Sequence, residues 1–346
     1  MKRNQSVELL KLFAVFFVVI IHNSFASSFG YAMSAIARFS VPVFFMFTGY
    51  FIVHPTNTSL RLKKQIFKLA KFYIFYEFIY IAYDFVKSLL TSTIADFPNR
   101  LINNLYHILN SPTMGFQLWY IINIIYVLII FYIFNHFDKL KLLFIISIIL
   151  HLVGIIISNF SMQIFHVILL REDTRNFLFF GLFYVLLGVY IKKIDINKIK
   201  INKYFILLIA IALCLLQVFE KYLWHKLSGS NFAEYYFITI FACIALFIFV
   251  LKCKVNNSFV EFIAKYSMPI YFLHILVMGL LGLIIVNLMH INLQLIKNNI
   301  IGNFIFIFVV CILSCVLYTS TKRLSKLVVK MVKKLFRISR SRLFPS

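Results

Sequence analysis

Acidic residues are scarce in this sequence: 11 Asp and Glu stand against 35 Lys and Arg, for a net charge of +24. On a soluble chain that surplus would suggest a nucleic-acid partner. Here, however, the cations fall in short blocks between apolar runs rather than along one amphipathic surface, so topology accounts for the charge and nucleic acid is not among the expected partners. Cysteines are few. Cys214, Cys243, Cys253, Cys311 and Cys315 lie in or beside apolar runs without metal-ligand spacing, which argues against a disulfide framework and against a metal centre. No Pro/Gly-rich linker, internal repeat or soluble appendage interrupts the chain, so one membrane domain over 1–321 is expected, followed by a basic tail over 322–346. Lys2 and Arg3 precede an apolar run as in a signal peptide, but no small-residue cleavage site follows, and a retained first helix is the expectation.

What the sequence has in abundance is apolar surface: 62% of residues are hydrophobic and the mean hydropathy is +0.93. That composition predicts an all-α polytopic transmembrane bundle of about ten helices. Runs of about 20 apolar residues, the length a bilayer demands, lie near 7–24, 33–53, 69–90, 117–136, 140–158, 176–192, 204–224, 234–252, 267–289 and 300–320. The greater part of the basic residues fall in alternate segments, so the positive-inside rule predicts both termini in the cytoplasm. In the tail, Leu324, Leu327, Val328, Met331 and Leu335 recur at helical spacing among cations, the pattern of an amphipathic helix on anionic lipid.

Against this background the stretch from Glu8 to Phe51 holds the best candidates for chemistry. Lys11 and His22 are eleven residues apart, close to three helical turns, and so share a face with Val15 and Val18 between them, separated by about 16 Å along the axis. Ionisable groups inside a membrane helix are costly and point to function. The same reading puts His22 and Arg38 near the outer face on either side of a short uncharged loop, where snorkelling is the structural alternative for the arginine.

Other candidates each carry an ordinary explanation. Tyr73, Glu77, Tyr80 and Asp84 share one face of the third apolar run; interhelical hydrogen bonds account for the tyrosines, while Glu77 reads either as an ion-pair partner or as a site residue. Arg61, Lys63 and Lys64 form a stop-transfer flank that could also meet a phosphate-rich molecule. Pro42 and Gly49 read as a kink and a close helix contact, and Thr48-Gly49-Tyr50 could line a cavity. Trp119 fits an aromatic belt. The loop Arg171-Glu172-Asp173-Thr174-Arg175 reads as mutual ion pairing or as contact with a polar acceptor. His274, about 10 Å from the cytoplasmic end of its run by helix rise, is either a core histidine or a site residue. His151 and His166 receive no role.

Several of these residues carry a resemblance. Glu8-Leu9-Leu10-Lys11 followed ten residues later by His22, Arg38 with Val41-Pro42-Val43-Phe44-Phe45 and Thr48-Gly49-Tyr50, Gln117-Leu118-Trp119-Tyr120, the helix from Arg175 to Gly188, and Ser267-Met268-Pro269-Ile270-Tyr271-Phe272-Leu273-His274 together resemble the acyltransferase-3 family of integral membrane O-acyltransferases. The likeness covers nearly the whole chain and is to the short, ten-helix type. Lys11 stands where that family has arginine, which turns a bidentate contact into a point charge, and Gln117 stands where histidine is common.

The resemblance implies acyl-CoA, most simply acetyl-CoA, as co-substrate with no permanently bound cofactor. It implies a hydroxyl of a cell-surface polysaccharide or lipid-linked oligosaccharide as acceptor, and the bacterial cytoplasmic (inner) membrane as location. Under it, His22, Lys11 and Arg38 form the catalytic set, with His22 as general base or transient acyl carrier. Arg61, Lys63, Lys64 and Tyr50 would bind the acyl-CoA, whose pantetheine arm would thread past Lys11, and Glu77, Trp119, Arg175 and His274 would support the acceptor. Membrane lipids are the remaining partner, and a homo-oligomer is allowed. The rival reading is a transporter or flippase of a lipid-linked glycan, against which stand the lack of an internal repeat and of paired broken helices.

Overall fold

The computed structural model describes residues 4–343, apart from 26, 54–56, 107–113, 167–170, 229–234 and 288. The side chains of 106, 162, 165, 171, 172 and 324–343 also lie outside the description, and with them the ion pairing expected of Arg171 and Glu172 and the amphipathic face expected of the tail. Among the described residues the secondary structure is helical throughout. In chain order the helices are α1 (Gln5–His22), α2 (Ser28–Ile36), α3 (Ser40–Ile52), α4 (Thr58–Leu90), α5 (Phe97–Tyr106), α6 (Trp119–His136) and α7 (Leu140–Phe165). There follow α8 (Arg171–Thr174), α9 (Leu182–Ile191), α10 (Lys203–Ser228), α11 (Ile238–Lys252), α12 (Ser258–Ala264), α13 (Ser267–Asn287), α14 (Leu293–Asn298) and α15 (Ile300–Leu343).

Among the described residues, seven segments are long and apolar enough to cross a membrane: Gln5–His22, Ser28–Ile52, Phe116–His136, Leu140–Ser161, Lys203–Ser228, Ser267–Asn287 and Ile300–Arg323. Phe177–Ile191 and Ile238–Lys252 are apolar but shorter, and α4 is long but carries cations through its first turns. Each of the ten apolar runs in the sequence therefore falls on helix. The protein is an all-α, multi-pass membrane bundle.

Two contacts set the centre of the bundle. Where α3 crosses α9, a Cβ on Gly49 would stand 1.8 Å from the Val185 carbonyl oxygen and one on Gly188 would stand 2.0 Å from that of Met46. The helices meet backbone to backbone, as small residues allow in a membrane, and the close contact read for Gly49 is realised. Beside them, Glu220 of α10 accepts the backbone N–H groups of Phe237 (2.6 Å) and Ile238 (2.9 Å) and the Trp224 indole N–H (3.0 Å). It supplies acceptors to the otherwise orphaned donors that open α11.

The position of α13 departs from the sequence reading. Gln5 of α1 accepts from the Asn257 backbone N–H, and α12 packs along α1 from there. Seventeen residues further on in both segments, the rings of His22 and His274 lie 5.2 Å apart. His274 is thus level with His22 near the far end of α1, rather than about 10 Å from the cytoplasmic face. The apolar run begins at Ser267, but the helical rise begins at Ser258, a short stretch whose exposed Phe259, Glu261 and Phe262 hide it from a hydropathy reading.

Candidate functional site

The end of α1 is fixed by a pair of amides. Asn23, the residue that closes the helix, donates from Nδ2 to Asn303 Oδ1 of α15 (2.5 Å), and Asn303 returns a bond to the Asn23 carbonyl (3.4 Å). Both side chains are buried, where an unpaired amide would be costly. The preceding residue, His22, is thereby held with its ring edge-on to Phe116 (4.8 Å between centroids) and 5.2 Å from that of His274.

His274 is fully buried, and its Nδ1 lies 3.0 Å from the Ile270 carbonyl and 2.8 Å from that of Tyr271. Carbonyls only accept, so Nδ1 carries the proton and Nε2 is the lone-pair nitrogen of the neutral ring. The turn of α13 around it is bridged from outside. The Tyr80 hydroxyl donates to the Phe272 carbonyl (2.8 Å) and accepts from the Leu276 N–H (3.2 Å), touching both ends of one helical turn. Gln117 Nε2 also donates to the Phe272 carbonyl (3.2 Å), and Tyr271 donates its hydroxyl to the Gln117 carbonyl.

The third wall comes from the segment entering α6. Glu77 accepts the Met114 N–H at 2.7 Å, and Gly115 comes so close to the Tyr80 ring that a Cβ there would stand 2.4 Å from it. A short 3-10 turn, Phe116–Leu118, then leads into α6. Three buried acceptor atoms on these elements have no hydrogen-bond donor among the described residues: His274 Nε2, Gln117 Oε1 and Glu77 Oε2. Together with the partly accessible His22, they make a site rich in acceptors, suited to receive a hydroxyl or amide N–H.

A second cluster lies on the other side of the same turn. Arg38, Arg175, Phe180, Tyr184, Tyr235, Tyr236 and Thr239 line a cavity of about 10 Å³, room for one water-sized group. The Arg175 guanidinium sits 5.3 Å from the Trp119 ring and 5.6 Å from that of Phe180. A π-helical turn, Phe177–Gly181, capped by Asn176, leads from Arg175 into α9; such turns recur at functional positions.

Arg38 is not an interfacial residue, contrary to the sequence reading. It is 8% exposed, and the neighbouring Phe39 packs on Phe13 and Phe17, well below His22. The chain turns back into the bundle at Ser28, so α2 has already carried it inward by the time it reaches Arg38. Snorkelling is not available at that depth, and Arg38 groups with Arg175.

The remaining candidates scatter. Lys11 pairs with Glu8 at 2.9 Å and approaches the Phe47 and Phe51 rings at 5.3 and 5.2 Å. Val15 and Val18, between Lys11 and His22, are both buried, so packing rather than an open channel occupies that face. Arg61 donates to the Phe51 carbonyl (3.3 Å) at the end of α3. Lys63 and Lys64 face instead an open groove of about 590 Å³ with Phe67, Lys68, Lys71 and Phe72 along α4. Tyr50 lies under the Lys192 ammonium, 4.4 Å from its ring centre.

Sequence reasoning missed Tyr80 as more than helix glue, Asn303 and Tyr184, and gave His151 no role. His151 lies inside α7, stacked on Phe183 at 4.1 Å, with Nδ1 2.7 Å from the Tyr235 hydroxyl. The signal for Tyr80 was present in its place one turn beyond Glu77; Gln117 was marked only as a departure from histidine, and nothing local marked Asn303 or Tyr184.

A protein named amino-acid racemase from Enterococcus faecalis is 26% identical over 350 residues, which take in 93% of this chain and 47% of that protein. The chain therefore spans about half the length of the curated relative it matches. No solved structure matches it. The family described as an acyltransferase domain, acyltransferase-3, matches residues 4–319, and the chain belongs to that family of membrane acyltransferases.

Proposed function

We propose that the protein transfers an acetyl group from cytoplasmic acetyl-CoA to a hydroxyl of a cell-surface or lipid-linked polysaccharide, in the bacterial cytoplasmic membrane with both termini inside. The observation that carries this reading is the juxtaposition of His22 and His274 among unpartnered buried acceptors. In the proposed reaction the acceptor hydroxyl gives its proton to His22 while its oxygen attacks the thioester carbonyl carbon. The carbon–sulfur bond then breaks, and the departing thiolate takes the proton from the imidazolium. His274 Nε2 and Gln117 Oε1 orient the hydroxyl and the amides of the donor arm.

The groove of Lys63, Lys64, Lys68 and Lys71 offers fixed cations for the cofactor's phosphates. Along α4, Lys64 and Glu77 are separated by about 20 Å of rise at 1.5 Å per residue and by about 220° of turn, so a pantetheine arm leaving the groove winds around α4 to reach Glu77. Because Val15 and Val18 close the face of α1, the arm in this proposal runs along α4 rather than past Lys11. Arg61 and Tyr50 then serve the base of α3 rather than the cofactor.

The test follows radiolabel from acetyl-CoA into extracted polysaccharide and lipid-linked precursor, in membranes holding equal amounts of native protein and His22→Ala. Label on glycan that vanishes in the variant supports the proposal. Unconsumed acetyl-CoA in the presence of the acceptor would turn the reading toward another acyl donor, then toward a glycan transporter.

A further inference from the structure

We infer that α5 lies in the plane of the membrane surface, with Pro98, Ile102 and Leu105 seated among lipid acyl chains and Asn99 and Asn103 facing water. The partner is the bilayer leaflet at the end of α4, and the inference goes beyond the acyl-transfer reading without depending on it.

At about 100° per residue, Phe97, Pro98, Leu101, Ile102 and Leu105 fall on one half of α5 and Asn99, Arg100, Asn103 and Asn104 on the other. The helix meets the protein along the seam between these halves. Arg100 donates from Nε and Nη2 to Asp84 Oδ2 of α4 (3.1 and 3.0 Å) and from Nη2 to Ser88 Oγ (2.5 Å). Phe97 packs on Phe85 with ring centres 5.3 Å apart. What turns away from the protein is divided. Asn99 and Asn103 are exposed on one side, and Pro98, Ile102 (63% exposed) and Leu105 (64%) on the other. No single medium suits both sides: in water two large aliphatic side chains stay bare, and in hydrocarbon two amides lose their hydrogen-bond partners.

The neighbouring chain selects the membrane surface. Ten residues of helix span about 15 Å, half of the hydrocarbon thickness, so α5 does not cross. It follows a row of exposed apolar side chains on α4, among them Phe78, Phe85, Val86 and Leu89, which in a multi-pass bundle face lipid, and Phe97 joins α5 to that row through Phe85. Arg100, the one cation of α5, is spent on Asp84. Burial of apolar surface, rather than attraction to anionic headgroups, therefore holds the helix to the leaflet. Asn104 donates to Met114 Sδ, and Phe116, two residues further, touches His22. The helix thereby sets this wall of the His22 site beside the leaflet surface.

Full-length protein carrying Ile102→Trp, Leu105→Trp or Asn103→Trp is placed in phosphatidylcholine nanodiscs, and the emission added to that of the native Trp119 and Trp224 is followed. Lipid brominated on its acyl chains should remove most of the added emission in Ile102→Trp and Leu105→Trp and little of it in Asn103→Trp. Iodide in the buffer should do the reverse. The pattern should persist when phosphatidylglycerol replaces part of the phosphatidylcholine. Equal quenching of all three variants by iodide would put α5 in water, and equal quenching of all three by brominated lipid would put it in the hydrocarbon interior; either result overturns the inference. So does protection of Ile102→Trp and Leu105→Trp from both quenchers, the result for a face covered by a second copy or another protein. Lipid quenching that requires phosphatidylglycerol would overturn it as well, because charge rather than apolar burial would then hold the helix.

Discussion

The two polar clusters on either side of the Phe116–Trp119 turn differ in what they lack. Among the described residues, the unpartnered buried atoms around His22 are acceptors, on His274, Gln117 and Glu77, whereas those lining the cavity of Arg38 and Arg175 include a donor, the Tyr184 hydroxyl. Inside a membrane neither deficit can be met by bulk water. Each cluster therefore advertises the complement of these atoms: a proton-bearing group beside His22, and a hydrogen-bond acceptor beside Tyr184.

Substitutions that alter one side and spare the other break or sharpen this comparison. His22→Ala should give the largest effect, a loss of acetyl transfer on the order of 10²- to 10⁴-fold, the range for a general base, with protein still present in the membrane at the native level by immunoblot. His274→Asn keeps a donor near the Ile270 and Tyr271 carbonyls but removes the Nε2 lone pair. Turnover should fall to a smaller extent, on the order of 10²-fold, with protein at the native level by immunoblot.

Tyr80→Phe removes the hydroxyl that bonds both the Phe272 carbonyl and the Leu276 N–H of the α13 turn. A thermal-unfolding midpoint near the native value, with acetyl transfer reduced by roughly tenfold, would mark Tyr80 as a positioning residue for His274. A large fall in the midpoint with unimpaired turnover per folded molecule would make it structural only. Gly188→Ala affects both clusters equally. Its Cβ meets the Met46 backbone, and overpacking should cost about 1–3 kcal/mol, read as a lowered unfolding midpoint in detergent. The smallest effect is expected from Lys11→Arg, which can keep the pair with Glu8. That partly exposed pair contributes about 1 kcal/mol or less, and labelling of glycan should stay within about twofold of native.

Buried histidine by itself is a weak guide, as His151 and His274 demonstrate. Both are buried and both have Nε2 without a partner. His151 is sealed among Phe180, Phe183, Tyr184 and Tyr235 and steadies Tyr235, while His274 is stacked behind an imidazole that solvent or substrate can reach. The sequence singled out both His274 and His22 but assigned them different depths, because it took the start of an apolar run for the start of a helix.

What the sequence determined by itself is everything that depends on neighbours within a few turns. The apolar runs are helical because a backbone in lipid must satisfy its own hydrogen bonds, and the i, i+3 pairing of Glu8 with Lys11 needs only one helix. The Gly49 contact was legible because a glycine amid large apolar residues has few other uses. Only the tertiary structure decided which polar groups meet. Arg38 joins Arg175, His22 joins His274, and Tyr80 enters the α13 turn through contacts between segments tens to hundreds of residues apart. Those contacts are set by how α2 and α12 shift the depth of the helices that follow, and hydropathy, blind to depth once a residue is apolar enough, carries no record of that shift.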